Sequence, residues 1–148
     1  MPTFQFRLER VLEWYESVCR LEENRLATRL AELERTRDEI ARLEAELLST
    51  ERGAIAARSI PAADLVALGL YRLRAKRQAL ELEEERARRE SAAKDQRARV
   101  QAAQRRVRLV GKLRERRLAE HLYAEDRALE NLAAEAYLNK WVSAKAAH

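Results

Sequence analysis

Residues 12–47 read LEWYESVCRLEENRLATRLAELERTRDEIARLEAEL, and within them Leu12, Cys19, Leu26, Leu33, Ile40 and Leu47 recur at every seventh position. An apolar group at that interval stays on one side of a slightly underwound α-helix and must be packed against another helix. The alternate positions of the stripe, Glu22, Arg29 and Thr36, are polar. Polar residues there weaken pairing but set its register and discourage other partners.

Across the whole chain, 100 of the 148 residues are Ala, Leu, Glu, Arg or Lys, against three glycines and two prolines. Such a composition belongs to coiled coils and long helices rather than to layered enzyme folds. A first helix is expected over about 4–52, ended by Gly53 in the left-handed conformation. Residues 53–61 form the turn, with Ser59 as a candidate N-cap and Pro61 tolerated in a first helical turn. A second helix follows over about 62–110 and continues as an extension over 111–147. The expected fold is therefore all-α: a long antiparallel two-helix coiled-coil hairpin with a C-terminal helical extension, forming a single coiled-coil unit. A turn centred near Ala57 sets Phe4 opposite Val110.

On the second arm Val66, Leu73, Leu80 and Ala87 keep the seven-residue interval, Lys94 interrupts it, and Val100, Ala103, Val107 and Val110 resume in a shifted frame. In the extension, Leu118, Leu122, Leu129, Leu132 and Ala136 continue at helical spacing, followed by Tyr137 and Trp141. This apolar stripe has nothing of the first helix to pack on, so it folds back, self-associates or binds another protein. Around the turn, Leu65, Val66, Leu68, Leu70, Tyr71 and Leu73 exceed what one seam can bury. Either Ile55 and Ile60 fold over them or the tip is a partner site, for which Leu65, Leu68, Tyr71 and Arg72 are the candidates.

Catalytic chemistry finds little foothold. Gly53, Gly69 and Gly111 are too scattered to cradle a phosphate, and His121 and His148 lack zinc spacing. Cys19 has no second cysteine and sits on the seam, where a small apolar residue belongs. Glu83, Glu84 and Glu85 read as a solvated helix face. No enzyme activity, cofactor or metal is expected. The N-terminus has no apolar core of signal-peptide length, and no stretch approaches the roughly 20 apolar residues that span a bilayer. A soluble, cytosolic protein is expected.

The net charge of +5 is unevenly placed. Between Arg97 and Arg117 there are nine basic residues and one acid, Glu115. Arg105, Arg106, Arg108, Lys112, Arg114, Arg116 and Arg117 form the candidate partner-binding stripe within it. Three readings stand: a solubilising surface, a docking site for an acidic protein surface, or a phosphate contact. Between Tyr71 and Tyr123 no aromatic residue is available for bases to stack on, so stable nucleic-acid binding is not expected.

The opening Phe4-Gln5-Phe6-Arg7-Leu8-Glu9-Arg10-Val11-Leu12 resembles the start of FliJ-type flagellar export proteins. The stretch from Lys112 to His121, continuing through Ala124-Glu125-Asp126-Arg127, resembles their C-terminal region. Length, the single hairpin break and the C-terminal extension are similar over essentially the whole chain. The resemblance implies a soluble cytosolic component of the flagellar type III export apparatus, similar to the central stalk of rotary ATPases. It implies three partners: the hexameric export ATPase, the cytosolic domain of the export gate, and export chaperones. Association with the inner face of the cell membrane would then be peripheral, through the apparatus. A generic coiled-coil scaffold or homodimer is the alternative that the residues themselves allow.

Overall fold

The structure, a computed structural model, describes residues 2–147; His148, considered above beside His121, lies outside them. Two long helices pack against each other as a helical hairpin: α1 (Glu9–Ala56) and α2 (Ala62–Ala146), with no strand among the described residues. The all-α expectation is met, while the ends of the elements differ from it.

α1 begins at Glu9 rather than near Phe4. Pro2, Thr3, Phe4 and Phe6 are weak helix formers, and Phe4 lies on the side of α2, with its ring centroid 5.5 Å from that of His121. The Glu9 N–H donates to the Phe6 carbonyl at 3.1 Å, and that of Leu12 to Leu8 at 2.9 Å. At its other end α1 runs through Gly53 to Ala56. No glycine has a positive φ, so Gly53 is not the stop. Pro61 bounds the turn on the α2 side, because it steers Ile60, directly before it, away from helical geometry. The Pro61 carbonyl then accepts the first α2 hydrogen bonds, from Asp64 at 3.0 Å and Leu65 at 3.2 Å. Ser59 supplies no capping bond. Asp64 stands in the first turn, where the helix dipole favours an acid. α2 continues unbroken through Gly69 and Gly111.

The described residues fall into two packed units, one of Cys19–Ala102 and one of the residues up to Val18 together with those from Ala103 onward. In the first unit α1 contributes buried Cys19, Leu33 and Thr36, with Leu26, Ile40 and Leu47 half-buried. α2 answers with buried Ala75, Leu82, Ala93, Gln96 and Val100. Val66, Leu73 and Leu80, expected on this seam, face outward instead: Leu80 is 67% exposed, whereas Leu82 is 8% exposed. Small residues, Ala75, Ala79 and Ala93, take positions on the α2 face toward α1, and a cavity is left where Ala75 and Ala79 meet Ile40, Leu43 and Leu47. Nor does Lys94 interrupt the seam, which passes from Ala93 through Gln96 to Val100.

Two polar layers cross this seam. Gln96 Nε2 donates to the Glu22 carbonyl at 3.0 Å and also to the Glu22 carboxylate. Arg89 Nη1 donates to the Glu32 carbonyl at 2.8 Å and to Thr36 Oγ1 at 2.9 Å, while the Thr36 hydroxyl donates to the Glu32 carbonyl at 3.2 Å. Thr36 is 1% exposed and fully satisfied. These bonds fix which turns of the two helices meet, because displacing either helix leaves buried polar groups unpaired. Glu22 and Thr36 therefore act as the register setters expected of polar seam positions. Arg29 is exposed, bridging to Glu32 at 3.6 Å.

In the second unit Leu12 and Ala103 are buried, and Val107, Val110 and Leu118 are half-buried. Arg114 Nε meets Glu9 Oε2 at 2.9 Å. Phe4 thus lies against His121 and Arg114 rather than Val110. The turn between Ala56 and Ala62 falls later than Ala57, and the non-helical N-terminal segment covers more distance per residue than a helix does.

Candidate partner-binding surfaces

The seven residues of the basic stripe lie on α2 in two different settings. Arg105, Arg108, Lys112 and Arg116 follow three and four spacing and are exposed, away from the face that carries Ala103, Val107 and Val110. Arg106 is exposed on the flank. None of these five engages an acidic side chain among the described residues. Leu109, 73% exposed, lies among them. An unscreened row of cations around an apolar side chain suits an acidic partner surface. Arg114 and Arg117 are used internally. Arg114 bonds to Glu9 and lies 5.7 Å from the Phe4 ring centroid, and Arg117 Nη1 meets Glu120 at 3.3 Å.

Beside this stripe the N-terminal segment forms a cleft against α2, lined by Phe4, Phe6, Leu8, Leu113, Arg117 and His121 among others. His121 Nε2 meets Glu125 Oε1 at 3.1 Å while its ring packs on Phe4. The two stretches that carry the family resemblance thus come together here. A turn centred near Ala57 sets Phe4 opposite Val110 and does not bring it to His121.

At the tip the four candidates divide. Leu68 and Tyr71 are half-buried, and Arg72 Nε bridges to Glu51 at 3.2 Å, so only Leu65 is both exposed and uncommitted. The exposed apolar side chains include Ile55, Val66, Leu70 and Leu73. Ile55 does not fold over the tip. The exposure expected of some apolar side chains near the tip is found at Val66, Leu70 and Leu73, and it extends to Leu80, whose seven-residue spacing reads equally well as a buried seam.

In the extension Leu122, Leu129, Leu132, Tyr137 and Trp141 are all exposed. At 3.6 residues per turn Leu118, Leu122, Leu129 and Leu132 share one face, whereas Tyr123, Tyr137 and Trp141 lie on another. The aromatics therefore do not continue the leucine stripe. Lys145 Nζ sits 4.5 Å from the Trp141 ring, a cation–π contact within one helix.

The lone thiol has no reactive setting. Burial pushes the Cys19 thiol above its ordinary range, and a 3.5 Å hydrogen bond to Glu23 and the charge of that carboxylate add to the shift against the lowering effect of Arg20. A protonated thiol is a poor nucleophile. Among the described residues no cluster of His, Cys, Asp or Glu can hold a metal ion, and no helix is long and apolar enough to cross a membrane. Compared with family models, curated proteins and solved structures, the chain matches none.

Proposed function

We propose that the chain is a non-enzymatic component of the flagellar type III export apparatus. In this reading it is a stalk that promotes assembly of the export ATPase ring and links that ring to the cytosolic domain of the export gate and to export chaperones. It works in the cytoplasm, peripheral to the inner face of the membrane. The observation that carries the reading is the row Arg105, Arg106, Arg108, Lys112 and Arg116, left without acidic partners. Beyond it, from Leu122 onward, the apolar side chains Leu122, Leu129, Leu132, Tyr137 and Trp141 are exposed. Cations steer an acidic partner into place, and the exposed leucines and aromatics supply the area that holds it. The resemblance of both end motifs to FliJ-type proteins names the partner.

The test is the activity and oligomer size of the cognate flagellar export ATPase with and without this chain. Increased activity together with ring formation is expected. Reversing Arg105, Arg108, Lys112 and Arg116 to Glu should remove both effects while leaving helicity intact. No binding and no stimulation by the wild-type chain would defeat the reading. A coiled-coil scaffold is the second reading, favoured by the exposed leucine face at Leu122, Leu129 and Leu132.

A further inference from the structure

Val66, Leu73 and Leu80 form a seven-residue series on the outside of α2, 65%, 65% and 67% exposed, away from the face of Ala75 and Leu82. Leu70, also exposed, falls between the first two at alternating four and three spacing. Single surface leucines need no explanation, but a row at this spacing is what one helix presents to another. Between Arg74 and Glu84 the charges along the row are sorted by sign: Arg74, Lys76 and Arg77 come first, then Glu81, Glu83 and Glu84, with Arg88 following beyond them on the same face. Glu83 is held by Arg86 at 2.8 Å. Arg74, Arg77, Glu81 and Glu84 have no charged partner among the described residues.

A basic block followed by an acidic block on one face complements itself when a second copy runs the opposite way. We propose that this face is a docking surface for a second copy of the chain, with the two α2 helices antiparallel about a two-fold axis between Gln78 and Ala79. Arg74 of each copy then lies within about half a helical turn of Glu81 of the other, and Arg77, level with Leu80, lies about one turn (~6 Å) from Glu84, within reach of its long side chain. Leu80 packs on the alkyl stem of Arg77 across the axis, and Leu70 packs on exposed Ala87. A parallel pair would stack the leucines on one another but set Arg77 against Arg77 and Glu84 against Glu84 at central positions, which like charges oppose. The charges thus select the antiparallel arrangement. This pairing stands independently of any export role.

Sedimentation equilibrium of the full chain at low salt, from micromolar to near-millimolar concentration, tests the pairing. A reversible monomer–dimer equilibrium that weakens with added salt is expected. The pair Arg74→Glu and Arg77→Glu, or the pair Glu81→Arg and Glu84→Arg, should raise the dissociation constant about tenfold or more, since about 1.4 kcal/mol corresponds to each factor of ten. An equimolar mixture of the two charge-reversed proteins should recover the dimer. Circular dichroism of each variant should match the wild type, because all four side chains lie on the outer face. In a Cys19→Ala background, Val66→Cys should not form a disulfide between copies, because the axis sets the two sites far apart. A chain that stays monomeric throughout, a dimer indifferent to either reversal, or a ready Val66→Cys disulfide would each overturn the proposal.

Discussion

α1 and α2 each carry leucines at a seven-residue interval, yet one series is packed and the other faces solvent. On α1 the series includes buried Leu12 and Leu33; on α2 Val66, Leu73 and Leu80 are about two-thirds exposed, while alanines take the inner face. The difference teaches that heptad spacing marks a face able to pack on a helix without stating which helix. Where leucines fill one side of a seam, alanines interspersed with Leu82 and Val100 complete the other, and the more regular apolar row on the second helix is left outside.

Overfilling the alanine side should have the larger effect. Ala93 is 5% exposed against α1, so Ala93→Leu should cost about 1–3 kcal/mol through overpacking, measured by urea unfolding. Ala87→Leu on the outer face should stay within about 0.5 kcal/mol of wild type. Equal costs would mean that the two faces of α2 are not distinct.

The smaller effect concerns continuity of α2. Gly111 lies inside the helix without a positive φ, and a Cβ built there meets nothing within 4 Å. Gly111→Ala should therefore raise stability by roughly 0.5–1 kcal/mol, read as an upward shift of the thermal midpoint. A loss of stability would show that α2 needs a break at that point.

Much of this architecture can be read directly from the residues. The α1 stripe identifies itself because Leu12, Leu26, Leu33, Ile40 and Leu47 have no competing apolar row on the same helix. The neighbourhood of the single turn is marked by Pro61, the one proline besides Pro2, and the exposure of the extension from Leu122 onward follows from the difference in helix lengths. The α2 seam resists such reading because alanine, Gln96 and Arg89 carry little apolar signal, while Val66, Leu73 and Leu80 carry a strong one on the opposite face. Gln96 and Arg89 belong inside only because Glu22, Glu32 and Thr36 receive their hydrogen bonds, a fact of pairing that no single helix contains. The basic stripe was legible as a cluster. Its division into five unpaired cations and two internal ones was not, because Glu9, the partner of Arg114, comes from the far end of the chain.

The most direct test of the seam assignment compares Leu82→Ala with Leu80→Ala by urea unfolding at a concentration where the chain is monomeric. The two changes are chemically identical and only two residues apart. Leu82→Ala should cost about 2–4 kcal/mol, the usual loss for a buried leucine, and Leu80→Ala should stay within about 0.5 kcal/mol of wild type. A larger loss at Leu80 than at Leu82 would contradict the account.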